Sequence, residues 1–122
     1  MNGFPKHSRL CGQKRIAALY KDGKHFVAWP LRVTWQKTSE PEQPTQVLVW
    51  APKSLFKHAV QRNHLRRLMR EAYRLNQAIL NEPNYLLAFN YMDKEEQPFA
   101  TIEKAMVKAL KKVKGENGEA KG

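Results

Sequence analysis

Between Phe56 and Leu75 the chain reads FKHAVQRNHLRRLMREAYRL, a segment free of glycine and proline that sets five arginines beside one acid, Glu71. At 3.6 residues per turn each step is about 100°, so Arg62, Arg66, Arg70, Asn63, Arg74 and Arg67 share an arc of roughly 140°. Leu65, Leu68, Met69, Ala72, Leu75 and Ile79 take the opposite side. Such a helix must dock its apolar stripe on a core and hold its guanidinium groups outward. A solvated helix face ordinarily interleaves acids and bases at i,i+4 to gain ion pairs. Here like charges stand at i,i+4, each such pair disfavouring an isolated helix by about 0.2–0.5 kcal/mol. Phosphates that neutralise the stripe give the arrangement a use; a plain solvated face is the alternative.

The whole chain carries the same bias: 122 residues with Lys+Arg 22 against Asp+Glu 11, net +11. That fits one compact domain with a positive field suited to a nucleic acid. No apolar run approaches the ~18–20 residues that span a bilayer, and the opening MNGFPKHSRL lacks the apolar core of a signal peptide. The lone Cys11 has no intramolecular disulfide partner, and no Cys/His spacing suits zinc. The expectation is a cytoplasmic, reduced protein with no membrane segment and no structural metal.

Local signals order the elements. Arg9 and Leu10 introduce a short helix with Ile16, Leu19 and Tyr20 among its apolar positions, ending at Asp22 before Gly23. FVAWPLRVTW, Phe26 to Trp35, is strand-like, and Pro30 within it implies an edge, a bulge or two shorter strands. After a polar loop from Lys37 to Gln46, Val47–Trp50 reads as a strand that pairs back across that loop. The arginine helix, about His58 to Leu80, then crosses over to a strand from Tyr85 to Tyr91. Pro98 opens a last helix in which Ile102, Ala105, Met106, Ala109, Leu110 and Val113 recur at helical spacing. The expected fold is α+β, a small mostly antiparallel sheet packed with helices in the order α-β-β-β-α-β-α. Residues 1–114 form its single domain, and 115–122, without a large apolar residue, form a disordered tail.

Phe56–Glu71 resembles the signature of the bacterial ribonuclease P protein subunit: an Ala three residues before an Arg-Asn pair, then an aliphatic, two basic residues, and a further basic residue followed by an acid. Arg9-Leu10 before the first helix, Gly23 after it and Pro52-Lys53 ahead of the signature agree with that family, from roughly Phe4 to Val113. The resemblance implies the α/β sandwich that ribonuclease P proteins share with a ribosomal-protein domain. It also implies a protein cofactor of a ribozyme, whose RNA subunit carries out magnesium-dependent removal of the 5′ leader from precursor tRNA. Magnesium would be held mainly by the RNA; the partners would be the RNA subunit and precursor tRNA, with no obligate protein partner and no organic cofactor. Carried over, Lys53, Lys57, Arg62, Asn63, Arg66, Arg67, Arg70 and Arg74 would face the RNA subunit, and Ile16, Tyr20, Arg32 and Trp35 the single-stranded leader.

Several of these positions keep two readings. Tyr20 offers an aromatic face for an unpaired base, while Ile16 stands where the family often has Phe. Trp35 is a core residue or a base platform. Arg32 contacts phosphate or faces solvent. Asn63 makes a local backbone bond or turns its amide to RNA or hydrated magnesium. His64 stands where the family usually has Arg, as a pH-dependent contact or a tolerated substitution. No separate catalytic constellation is visible: Asp93, Glu95 and Glu96 lie in a polar turn, and His7, His25 and His58 are scattered without a nucleophile. The competing classes are a structural RNA-binding protein such as a ribosomal component, and a basic-helix DNA-binding module, which would need a short helix and tight turn before the basic one.

Overall fold

A computed structural model describes residues 13–38, 44–80 and 84–121. The expected start of the first helix at Arg9-Leu10, together with His7 and Cys11, lies outside these residues. The elements are α1 (Gln13–Asp22), β1 (Lys24–Ala28), β2 (Leu31–Lys37), β3 (Gln46–Trp50), α2 (Ala59–Asn76), β4 (Tyr85–Tyr91) and α3 (Phe99–Lys121), with a 3₁₀ turn Gln77–Ile79 after α2. Pro30 divides FVAWPLRVTW into two strands, β1 and β2, joined through a turn containing a cis Trp29–Pro30 bond.

The sheet runs β1-β2-β4-β3, with β4 antiparallel to β2 and parallel to β3. This corrects the expectation that β3 pairs back on β2. The reason lies in β4: Tyr85, Leu87, Ala88, Phe89 and Tyr91 are all buried, on both faces of the strand. A strand apolar on both faces gains most in the middle of a sheet. It therefore enters between β2 and β3, and α2 provides the crossover that a parallel β3–β4 pair requires.

Period-2 alternation then sorts the side chains. Leu31, Val33 and Trp35 of β2 align with Tyr91, Phe89 and Leu87 of β4, and Val47 and Val49 of β3 join the same face. Against it pack Leu65, Met69 and Tyr73 of α2 and Ile102, Met106, Leu110 and Val113 of α3, forming the main core. Arg32, Thr34, Leu48, Trp50, Leu86, Ala88 and Asn90 fall on the other face. There α1 covers one end, with Leu19 and Ile16 against Leu48, Leu86 and Ala88.

The apolar stripe of α2 is rotated slightly from its expected position. Tyr73 is buried and ring-packed on Phe89 at 6.3 Å, whereas Leu75 is 53% exposed. Ring–ring contact with the central strand outweighs one more aliphatic contact. Burial also pushes the Tyr73 phenol up to about 12. Because the folded state favours the neutral phenol, this stabilisation is complete below the ordinary value near pH 10 and is lost as pH rises towards 12. The stability of the free protein is expected to fall by about 1 kcal/mol per pH unit across that window from this group alone. Tyr73→Phe should flatten that part of a urea-denaturation profile against pH.

Helix α3 runs through Lys121, past Gly115 where the tail was expected to begin. A Cβ at Gly115 would meet nothing within 4 Å, and no proline interrupts the segment, so neither packing nor sterics stops the backbone ladder there.

Gly23 joins α1 to β1. Its amide donates to Leu19 O at 2.8 Å, and a Cβ there would lie 2.5 Å from Leu19 O and 2.9 Å from Trp35 O. Both neighbours are backbone and cannot swing aside. Gly23→Ala is expected to cost about 2 kcal/mol and to move α1 relative to the sheet, detected as a lower denaturation midpoint with weakened binding in the cleft described below.

Candidate nucleic-acid interface

The loop before α2 is held from within the helix. Leu55 and Phe56 amides turn back to Pro52 O at 3.1 and 3.2 Å, and His58 enters with extended backbone and no side-chain cap. Arg62 supplies the missing tie: its Nη1 donates to Phe56 O at 2.8 Å and Lys57 O at 2.9 Å. A guanidinium has five donors, so this anchoring leaves others for a ligand. Lys53 and Lys57, on the same loop, are exposed.

Beyond Arg62 the helix presents its basic flank. Asn63, Arg67 and Arg74 are exposed; Arg66 and Arg70 are half-buried. Arg66 donates to the Asn63 amide oxygen and lies over the Trp50 ring at 5.7 Å, the cation–π range. Arg74 is bonded to Glu71, whose carboxyl is held below the usual range by that hydrogen bond and by the positive charge. The last arginine of the stripe is thus paired within the helix, the i,i+3 arrangement of a solvated surface. His64 is exposed.

On the face of the sheet that α1 leaves open lies a cleft of about 670 Å³ whose lining includes Tyr20, His25, Arg32, Thr34, Trp50 and Asn90. Its floor follows from register. Val27 pairs with Arg32, Arg32 with Asn90, and Asn90 with Trp50, a row across all four strands. One row further, His25 Nδ1 lies 3.0 Å from Thr34 Oγ1. Tyr20 reaches over from α1, its hydroxyl 2.9 Å from Asn90 Nδ2 and 3.2 Å from Asn90 Oδ1. The cleft combines a phenol, an indole, an amide, an imidazole and a guanidinium, with no carboxylate among the described residues that line it, a chemistry suited to a single nucleic-acid strand.

Tyr20 and Arg32, expected to contact a leader, come together here. Ile16 packs beneath α1 against the sheet, outside the lining. Trp35, expected with them, lies on the opposite face: it is 3% exposed, tilted against Tyr85 at 6.0 Å, with Lys24 over its ring. Alternation along β2 puts it two residues from Val33 in the core, which removes it from the cleft. Asn90, His25 and Trp50 were missed. Asn90 and Trp50 occupy the alternate positions between buried neighbours, a signal legible in each strand separately, but aligning them required the parallel β3–β4 register.

Asp93 is engaged inside its own loop, accepting from the Glu95 amide at 2.9 Å and Gln97 Nε2 at 3.2 Å. Among the described residues no group of three or more His, Cys, Asp or Glu is placed to hold a metal ion, and no helix is long and apolar enough to cross a membrane.

Known proteins share this architecture. A family model for ribonuclease P matches residues 4–114. The ribonuclease P protein component of Porphyromonas gingivalis is 38% identical over 120 residues, covering 93% of this chain and 88% of the relative. That of Chlorobium phaeobacteroides is 41% identical over 78 residues, covering 61% of this chain and 53% of the relative. Among solved structures, the Staphylococcus aureus RNase P protein superposes with a TM-score of 0.75 at 18% identity, covering 88% of this chain and 95% of that one. The Thermotoga maritima RNase P protein gives 0.73 at 20% identity, covering 85% and 96%. With its arginine-faced crossover helix, its open cleft and its sequence matched over almost the whole length, the chain belongs to the ribonuclease P protein family, the protein component of the RNA-based endoribonuclease that processes tRNA 5′ ends.

Proposed function

We propose that this protein binds the ribonuclease P RNA through the basic flank of α2 and its preceding loop, and the 5′ leader of precursor tRNA through the cleft. In this reading Arg66, Arg67 and Arg70, with Asn63 and the loop residues Lys53 and Lys57, meet backbone phosphates of the RNA subunit. Guanidinium groups suit that task because their planar fork can engage phosphate oxygens in pairs. Arg62 orients the loop, and Arg74 contributes after exchanging Glu71 for phosphate. Tyr20 and Arg32 engage the leader, a base on the phenol ring and a phosphate on the guanidinium.

The observation that carries the reading is the junction of the two surfaces. Trp50 lines the cleft and Arg66 of α2 lies on its ring, so one continuous track joins the helix to the cleft. A strand leaving an RNA bound at α2 can pass over Trp50 into the cleft. The protein's part in catalysis is then positional: it holds the leader while the RNA subunit, carrying most of the magnesium, performs the hydrolysis. The reaction belongs to the cytoplasm, where precursor tRNA is made.

Site-directed crosslinking tests the assignment. With Cys11→Ser as background, a photoreactive probe is attached at Arg67→Cys or at Arg32→Cys in the reconstituted holoenzyme with bound precursor. The first should crosslink to the RNA subunit and the second to the leader. Crosslinks from both positions to the RNA subunit alone would remove the leader from the cleft.

A further inference from the structure

Three tryptophans occupy three different environments. Trp35 is in the core, Trp29 stands on the β1–β2 turn with 54% of its surface exposed, and Trp50 is 47% exposed at the end of edge strand β3. Of the two exposed rings only Trp50 lines the cleft. It is also braced: the Arg66 guanidinium lies over it at 5.7 Å, while Arg66 is itself bonded to Asn63. Trp50 lines the cleft and Arg66 does not, so the guanidinium contacts the ring without belonging to the lining. A half-exposed aromatic ring held by a cation and open to a basic cleft has the geometry of a stacking surface. Cationic backing fixes the ring without filling the cleft.

The row on the floor places this ring relative to other groups. Strands lie about 4.8 Å apart, so Asn90 is the adjacent position to Trp50 and Arg32 the one beyond. A base lying flat on the indole therefore has the Asn90 amide and, beyond it, the Arg32 guanidinium in the same row as polar groups within the cleft. We infer that Trp50 is a stacking platform for one unpaired base of a single-stranded RNA, with Arg66 as the positioning residue that holds its ring. This rests on the cleft taking the leader. It gives Arg66 a second task beside its contact with the RNA subunit, and it places the base-binding surface on β3 rather than on Trp35.

The test uses the reconstituted holoenzyme and two precursor tRNAs, one with a leader long enough to cross the cleft and one with a single-nucleotide leader. The readout is the ratio of their dissociation constants. Trp50→Ala is expected to weaken binding of the long-leader precursor about tenfold, within the range for one base–aromatic stack, and to leave the short-leader precursor unchanged. Trp50→Phe, which keeps an aromatic face, should retain the ratio to within about threefold. Arg66→Gln should lower the ratio in wild-type background and have no further effect on it in Trp50→Ala, although it still weakens binding of the RNA subunit. Thermal midpoints of the free proteins check that each variant folds; Trp50→Leu, which keeps an apolar side chain without an aromatic face and is expected to lose the ratio as Trp50→Ala does, decides the matter should Trp50→Ala fail that check.

A full ratio in folded Trp50→Ala or Trp50→Leu, with the ratio reduced in Arg32→Ala, would overturn the platform and leave the cleft as the leader site. Loss of the ratio in Trp50→Phe equal to that in Trp50→Ala would also overturn it, since size and not an aromatic face would matter. A full ratio in both Trp50→Ala and Arg32→Ala would overturn the cleft reading itself, and this inference with it.

Discussion

Replacing Arg66, Arg67 and Arg70 together by glutamine is expected to lower affinity for the RNA subunit by about three orders of magnitude. A hydrogen bond to a charged group contributes about 1.5–3 kcal/mol, and about 1.4 kcal/mol is tenfold, so three lost phosphate contacts reach a thousandfold at the low end of that range. The slope of log affinity against log salt should fall by about two to three, because each phosphate no longer neutralised keeps its counterion. Glutamine keeps a helix former at each position, so the helix itself should persist. The triple lysine variant separates charge from shape. It should keep the salt slope yet lose roughly tenfold or more in affinity, because ammonium cannot form the paired contacts of a guanidinium. Filter binding across a salt series with both variants measures all four quantities. An unchanged slope in the glutamine variant would mean that this flank of α2 does not face phosphates.

Phe89→Ala should have the largest effect on folding. Phe89 is fully buried in the central strand, aligned with Val33 on one side and Val49 on the other, and its ring meets Tyr73 of α2. Truncating such a side chain costs about 3–5 kcal/mol in transfer and cavity terms, against a total stability of about 5–15 kcal/mol for a domain. The urea midpoint should drop sharply with little change in slope. Val60→Ala, at a position 79% exposed on α2, should stay within about 0.5 kcal/mol of wild type. A modest loss in Phe89→Ala would mean that β4 is not the strand on which the two layers depend.

The comparison between these two residues shows where sequence was sufficient. Helix α2 was legible because its charge and apolar stripes are both long and in phase, and its signature named the family. β4 was legible as a strand, but its central place was not, because YLLAFNY is apolar at nearly every position without stating which strands flank it. The loop between β2 and β3 suggested a hairpin, the usual outcome for neighbouring strands. The deciding factor was the burial demand of a strand 35 residues after β3 ends, and a contact between distant segments leaves no local pattern.

The cleft follows the same division. Tyr20 and Arg32 could be placed by resemblance, since each depends on one element. Trp35 shares a strand with Arg32 but not its parity, and it belongs with Leu31 and Val33 to the core. Trp50 carries no motif; its meaning comes from Asn90 beside it and Arg66 above it, residues 40 and 16 positions away. Arg62 and Arg74 read as equal members of one stripe. Their difference, one tying down a loop and the other paired with Glu71, depends on rotamers that spacing alone does not fix.

The central claim is that this protein promotes leader removal by a catalytic RNA. Its most direct test is multiple-turnover cleavage of a leader-bearing precursor tRNA at low magnesium, with the cognate RNA subunit alone, the protein alone, and both together. The expected result is cleavage at the mature 5′ end that requires the RNA and rises sharply when folded protein is added. Absence of stimulation would contradict the account, as would cleavage by protein alone that survives ribonuclease treatment and repurification.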